Sequence, residues 1–154
     1  MSTRPVKSWL WLGAGVLVVA ALGCLHTPKP KADIRDLQSS AENFHRLIRW
    51  GDLKGASRYL VPEQRIDYVK GIIDRGEEDA LKVLDYELED VQYAPESAVL
   101  VSKITWNRLP SVTARSEAML TTWEDREGVW LIAEIVGGPL PLERKPRPGA
   151  DAGR

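Results

Sequence analysis

The apolar pattern of this chain changes period once, near Asp79, and that change limits what it can fold into. Upstream, apolar residues recur every three to four positions, as on one face of a helix; downstream they alternate, as on one face of a strand. Leu37, Ala41, Phe44 and Ile48 follow i, i+4, i+7, i+11, with Ile34 and Leu47 widening the stripe, which predicts a helix from Ile34 to Trp50. Gly51 stops it, in the manner of a glycine just past a helix end. Asp52 is suited to cap a second, short helix with Leu53, Ala56 and Leu60 on one face. Pro62 can occupy the first turn of a third helix, with Glu63 where the dipole favours an anion. That helix runs to about Arg75, with Ile66, Val69 and Ile73 inward, and Gly76 ends it.

After Asp79, Leu84, Tyr86 and Leu88 alternate with Asp85, Glu87 and Glu89, predicting a half-buried strand with an acidic outer face. That acidic run is a solvated face that protects an edge strand, and it is not assigned a metal. The phase slips before Val91 and Tyr93, so a β-bulge is expected near Glu89 and Asp90. Ala98 to Leu109 and Val112 to Glu124 read as the second and third strands, and Asp125-Arg126-Glu127-Gly128 as a hairpin turn. Val129 to Val136 are apolar on both faces except at Glu134, which suits a central strand. The expected fold is α+β over residues 34–137, three N-terminal helices packed on a curved four-stranded antiparallel sheet. Residues 138–154 hold four Pro and three Gly without an apolar period, and read as a disordered tail dispensable for folding.

The first 23 residues stand apart. Arg4 and Lys7 precede an apolar run from Trp9 to Leu22, closed by Gly23 and the only cysteine of the chain, Cys24. These are the parts of a secretory signal. Ala21-Leu22-Gly23-Cys24 resembles the lipobox of bacterial lipoproteins, which implies cleavage before Cys24, acylation of its thiol, and a signal peptide spanning residues 1–23. Ala21 departs from the branched aliphatic usual at the first position of that box. The same stretch also reads as an uncleaved membrane helix: Ser8 to Thr27 carry no charge with His26 neutral, about the 20 residues that span a bilayer. Gly13, Gly15, Gly23 and Pro28 weigh against it. Both readings put the domain outside the cytoplasm, since the positive flank stays inside. Residues 24–33, stiffened by Pro28 and Pro30, form a short linker that keeps the domain near the lipid.

Composition excludes several classes of function. With 21 basic and 22 acidic residues the formal charge is −1, which leaves no electrostatic footprint for nucleic acid. One cysteine cannot form an internal disulfide, and with two histidines no zinc-ligand spacing exists. No glycine-rich phosphate loop is present, and no cofactor, metal or catalytic residue is expected. His45 lies at the edge of the first helical stripe and is expected to be half in solvent. Glu134, a carboxylate among Ile132, Ala133, Ile135 and Val136, is the candidate ligand-binding residue if its face lines a pocket. Trp106, Trp123 and Trp130 read as packing residues, the last two close across the hairpin.

The first helix with Phe44, then Gly51-Asp52-Leu53-Lys54-Gly55-Ala56, then the Pro62-Glu63 helix, then a meander ending Trp123-Glu124-Asp125-Arg126-Glu127-Gly128-Val129-Trp130, resembles the nuclear-transport-factor-2-like superfamily. The resemblance covers Ile34 to Val136. It implies a pocket between helices and concave sheet, where enzymes of the superfamily place an Asp, His or Tyr; no such acid–base pair is recognisable here. The expectation is therefore a membrane-tethered, non-enzymatic envelope lipoprotein that binds a partner protein or a small apolar ligand. Leu25, in place of an Asp after the cysteine, implies by the lipoprotein sorting pattern the periplasmic face of the outer membrane. Two alternatives stay open: a bitopic inner-membrane subunit of a secretion or envelope complex, and a pocket enzyme of the isomerase or dehydratase kind.

Overall fold

A computed structural model describes residues 32–145. The anchor segment with Cys24, the linker as far as Lys31, and residues 146–154 lie outside the described residues. Four helices come first: α1 (Ile34–Arg49), α2 (Leu53–Ala56, continued by a 3-10 turn at Ser57–Tyr59), α3 (Pro62–Asp74) and α4 (Glu77–Ala80). Four strands follow, β1 (Leu81–Ala94), β2 (Ser97–Arg108), β3 (Arg115–Asp125) and β4 (Trp130–Gly137), in one antiparallel sheet of order β1-β2-β3-β4. The α+β layout is the expected one, with α4 as an additional turn.

α1 is fixed at its start by a capping box in which the Asp33 carboxylate accepts from the Arg35 and Asp36 amides, and Asp36 returns the bond to the Asp33 amide. Arg46 and Arg49 in its last turn suit the negative end of the dipole. Its buried stripe is the expected Leu37, Ala41, Phe44 and Ile48. Leu100 and Ile104 of β2, Met119 and Trp123 of β3 and Ile132 of β4 complete that core. Each such side chain, fully buried, contributes roughly 1.5–3 kcal/mol.

Four expectations need correction. α3 buries Gln64, Tyr68 and Ile72, whereas Ile66 and Ile73 are 80% and 54% exposed. The cause is polar: the Gln64 amide donates to the carbonyls of Ala133 (2.9 Å) and Glu143 (2.7 Å), which pins that side of the helix to the sheet edge. In β1 the bulge expected near Glu89 is present, but a second register shift at Leu84 turns Leu81 and Val83 inward and leaves Leu84 outside.

β4 is the last strand of the sheet, not a central one. It is apolar on both faces because other segments cover its free edge. The Val61 amide donates to the Ile132 carbonyl (2.9 Å), and Ile135 and Leu142 exchange two backbone bonds (2.8 and 2.9 Å). The segment expected to be a disordered tail thus packs on the sheet as far as Lys145. Leu140 is 2% exposed, Leu142 packs against the core, and Arg144 and Lys145 pair with Glu124 and Asp67.

Glu77, at the start of α4, went unread in the sequence. It is buried, and Arg108 grips it with two bonds (3.0 and 2.9 Å) while Arg75 adds a third at 3.3 Å. A buried carboxylate is tolerable in such a paired setting, and this one ties the helical layer to the far end of β2. Among the described residues no helix is long and apolar enough to cross a membrane.

Candidate functional site

The resemblance directs attention first to the space between α1 and the sheet. That space is filled. Phe44, Ile48, Leu100, Ile104, Met119 and Trp123 occupy it, each at most 1% exposed. The Trp123 ring meets Phe44 edge-on (6.4 Å between centroids, 89°), and its indole N–H donates to the Thr121 hydroxyl at 2.8 Å. Trp130 takes another partner: it tilts against Tyr93 at 5.8 Å and donates from Nε1 to the Asp33 carbonyl at 2.9 Å. The two indoles therefore serve separate parts of the core.

His45 belongs to this interior. It is fully buried, contrary to the half-solvated position expected, because Tyr86 covers its ring at 4.9 Å and Ser102 meets it from β2. Nδ1 lies 2.8 Å from the Ala41 carbonyl, which can only accept, so Nδ1 carries the proton. Nε2 then accepts from the Ser102 hydroxyl at 3.0 Å. Burial holds the imidazole pKa below its usual value, against a smaller opposing effect of the Ala41 carbonyl. A neutral ring with both nitrogens engaged in joining α1 to β2 has no lone pair to offer a substrate as a general base. Its partner Ser102, a polar residue amid the inward Leu100 and Ile104, was the sequence signal that was missed.

Glu134 is directed elsewhere. It pairs with Thr122 across the β3–β4 ladder, with 3.5 Å between Oγ1 and the carboxylate, whereas Thr121 and Trp123 on either side of Thr122 point into the core. It lies on the outer side of the sheet, in a shallow cleft of about 440 Å³ between β4 and the returning chain, with Val136, Pro141 and Leu142. The carboxylate does not reach the interior of the fold.

A larger groove of about 840 Å³ runs over the ends of the strands, where Tyr93, Glu96, Val99, Thr122, Glu124 and Arg144 contribute to its walls. Its rim is braced by charge. Arg126 bridges Glu63 of α3 (3.1 Å) and Glu124 of β3 (2.7 Å), and Asp125 accepts from the amides of Ala32 (3.2 Å) and Gly128 (2.7 Å). Glu127 and Gly128, both at positive φ, make the tight turn above it. No group of three or more His, Cys, Asp or Glu among the described residues is arranged to hold a metal ion. On the helical side, Ile66, Val69 and Ile73 form an apolar stripe in a shallow groove of about 440 Å³ on the outward face of α3. The features open to solvent are thus grooves and a stripe on the outside of the fold.

No protein-family model matches the sequence, and no curated protein matches it. Solved structures do. A SEC-C motif containing protein from Rhodopseudomonas palustris is 12% identical, with a TM-score of 0.54 over 65% of this chain and 77% of that one. An NTF-2 like protein of unknown function from Shewanella oneidensis is 15% identical, with a TM-score of 0.46 over 64% of this chain and 92% of that one. The likeness concerns the fold alone. Helices followed by a four-stranded meander is the layout that the nuclear-transport-factor-2-like resemblance implies, and an NTF-2 like protein is among the structural neighbours.

Proposed function

We propose that this chain is a membrane-tethered binding domain of the bacterial cell envelope, held by a lipid on Cys24, which recognises its partner on the outside of the fold. The observation that carries the reading is the filled interior: Phe44, His45 and Trp123 occupy the place where a pocket would lie. Non-enzymatic binding follows from the same residues, since the one histidine among them is neutral and engaged at both nitrogens. The tether is supported by Gly23-Cys24 at the end of the apolar run, and the outer membrane by Leu25.

The test is the fate of the full chain expressed in a bacterial host with labelled palmitate. The mature protein is expected to lack residues 1–23, to carry lipid, and to lose both processing and label in a Cys24→Ser variant. A full-length, unlabelled product would replace the lipoprotein with an uncleaved membrane helix. Separately, apolar small molecules should leave the thermal midpoint of the protein unmoved; a saturable rise would mean that the interior opens to a ligand.

A further inference from the structure

The outward face of α3 is unusual for a helix that otherwise packs well. Ile66 and Ile73 lie one above the other with Val69 between them, on the side opposite the buried Gln64, Tyr68 and Ile72. Around this stripe the charges are unevenly matched. Glu63 and Asp67 are neutralised by Arg126 and Lys145. Arg58, Arg65 and Lys70 have no carboxylate partner among the described residues; the two guanidinium groups bond only to backbone carbonyls of Gly55, Leu60 and Arg58. The stripe is therefore rimmed by three cations with the single carboxylate of Asp74 at its far end.

The start of the described chain lies nearby. Ala32 bonds to Asp125, and the next residue, Arg126, pairs with Glu63 in the first turn of α3. Between Cys24 and Ala32 the chain reaches at most about 29 Å when extended, while α3 is about 20 Å long. Every turn of α3 is thus within tether length of the point where the apolar N-terminal segment meets the lipid.

We propose that the outward face of α3 rests on the lipid surface itself, with Ile66, Val69 and Ile73 in the headgroup boundary and Lys70, Arg65 and Arg58 among the phosphates. The inference rests on the tethered reading above. An amphipathic helix with a basic rim lies in the interface in this way. A lipid surface suits the stripe better than a protein partner, because one face of α3 is a strip of about 20 Å by 10 Å. That is far short of the roughly 1,000 Å² that an independent protein interface needs. A tethered domain requires no such area, since the tether supplies a high effective concentration of the surface.

The experiment uses the full chain in liposomes containing phosphatidylglycerol, with a cysteine introduced singly at Ile66, at Ile73, or at Val112. Val112 is as exposed as Ile66 (79%) and apolar, but lies in the β2–β3 loop at the other end of the sheet from Ala32. Each cysteine carries an environment-sensitive fluorophore, the lipids carry a nitroxide at headgroup depth, and the unsubstituted chain sets the background from Cys24. Quenching is expected to be several-fold stronger at positions 66 and 73 than at 112. Equal quenching at all three positions overturns the proposal. Protein that floats with the liposomes but is unquenched at 66 and 73 also overturns it, while leaving the tether intact. Protein that does not float removes the tether and this contact together. Shielding of 66 and 73 without lipid, growing with protein concentration, would assign the stripe to a second copy and overturn the lipid contact.

Discussion

α1 and α3 are both amphipathic, yet they bury opposite kinds of residue. α1 places Leu37, Ala41, Phe44 and Ile48 against the sheet, and its polar groups at the ends are satisfied by its own cap. α3 buries Gln64 and Tyr68 with Ile72, and leaves Ile66 and Ile73 in solvent. The difference lies in what each helix faces. α1 lies over the middle of the sheet, where strand backbones are already paired and only side chains need covering. α3 lies beside the free edge of β4, where the carbonyls of Ala133 and Glu143 need a donor that an isoleucine cannot supply. The orientation of a helix thus follows the most expensive unmet demand of its neighbour, and an unpaired buried carbonyl outranks one exposed isoleucine.

The comparison is sharpened first by substitution in the α1 interface. Trp123→Ala should cost roughly 3–5 kcal/mol in a denaturant melt, because both faces of the ring are covered and Phe44 loses its edge-on partner. A cost under 1 kcal/mol would mean that the interior between α1 and the sheet is not packed in this way. Trp130→Ala should fall in the same range, since it is as deeply buried; its position in a terminal strand is offset by the cover over that strand's edge.

On the α3 side, truncation after Gly138 should lower stability by about 3 kcal/mol, from the buried Leu140 side chain and the two Ile135–Leu142 bonds. An unchanged melting temperature would show that this segment adds nothing to the edge of β4. Gln64→Leu is the more selective variant. It keeps volume and apolar burial but strands two carbonyls, for which roughly 1–3 kcal/mol is the expected loss. A neutral or stabilising result would mean that the Ala133 and Glu143 carbonyls find other donors, and that something else turns α3.

How much of this was legible in the sequence follows the same division. The α1 stripe, the inward face of β2 at Leu100, Ile104 and Trp106, the Glu89 bulge and the Asp125–Gly128 turn were all readable, because each is a local pattern with a local cause. The face of α3 was not, since its cause lies 69 and 79 residues away at Ala133 and Glu143. Leu140 and Leu142 alternate as strand residues do, but Pro139, Pro141 and Pro146 gave the segment the look of a tail. The candidate site turned on one unreadable residue. Ile132 points inward, so in a regular strand Glu134 would have done the same; the extra residue at Ala133 shifts the register and presents Glu134 to the outside beside Thr122. His45 was misjudged for want of Ser102, a partner 57 positions away.

His45 offers a titration that affects only the α1 side. Burial lowers its folded pKa below the unfolded value of about 6.5, so the unfolded chain takes up a proton first as the pH falls. Its neutral ring therefore contributes stability in full above about pH 6.5. That contribution is lost as the pH drops below this value, by up to about 1.4 kcal/mol per unit until the folded pKa is reached. A His45→Gln variant should keep the bonding positions but flatten the stability profile between about pH 6.5 and the folded pKa. Parallel profiles for the two proteins would show that His45 does not titrate differently on folding.

The smallest effect is expected at the residue that looks most hydrophobic on α3. Ile66→Ser removes an apolar side chain from a helix, a change that costs several kcal/mol at a buried site such as Ile48. At 80% exposure almost no burial is lost, and serine is only slightly poorer than isoleucine as a helix former, so the change in solution should stay within about 0.5 kcal/mol. Paired with Ile72→Ser on the buried side of the same helix, the measurement becomes a direct reading of its orientation. Should Ile66→Ser unfold the domain while Ile72→Ser is neutral, α3 is turned the other way, and Gln64 does not hold the edge of β4. With the order as expected, the exposed stripe is dispensable for folding, and its apolar character has to be explained by what it touches outside the domain.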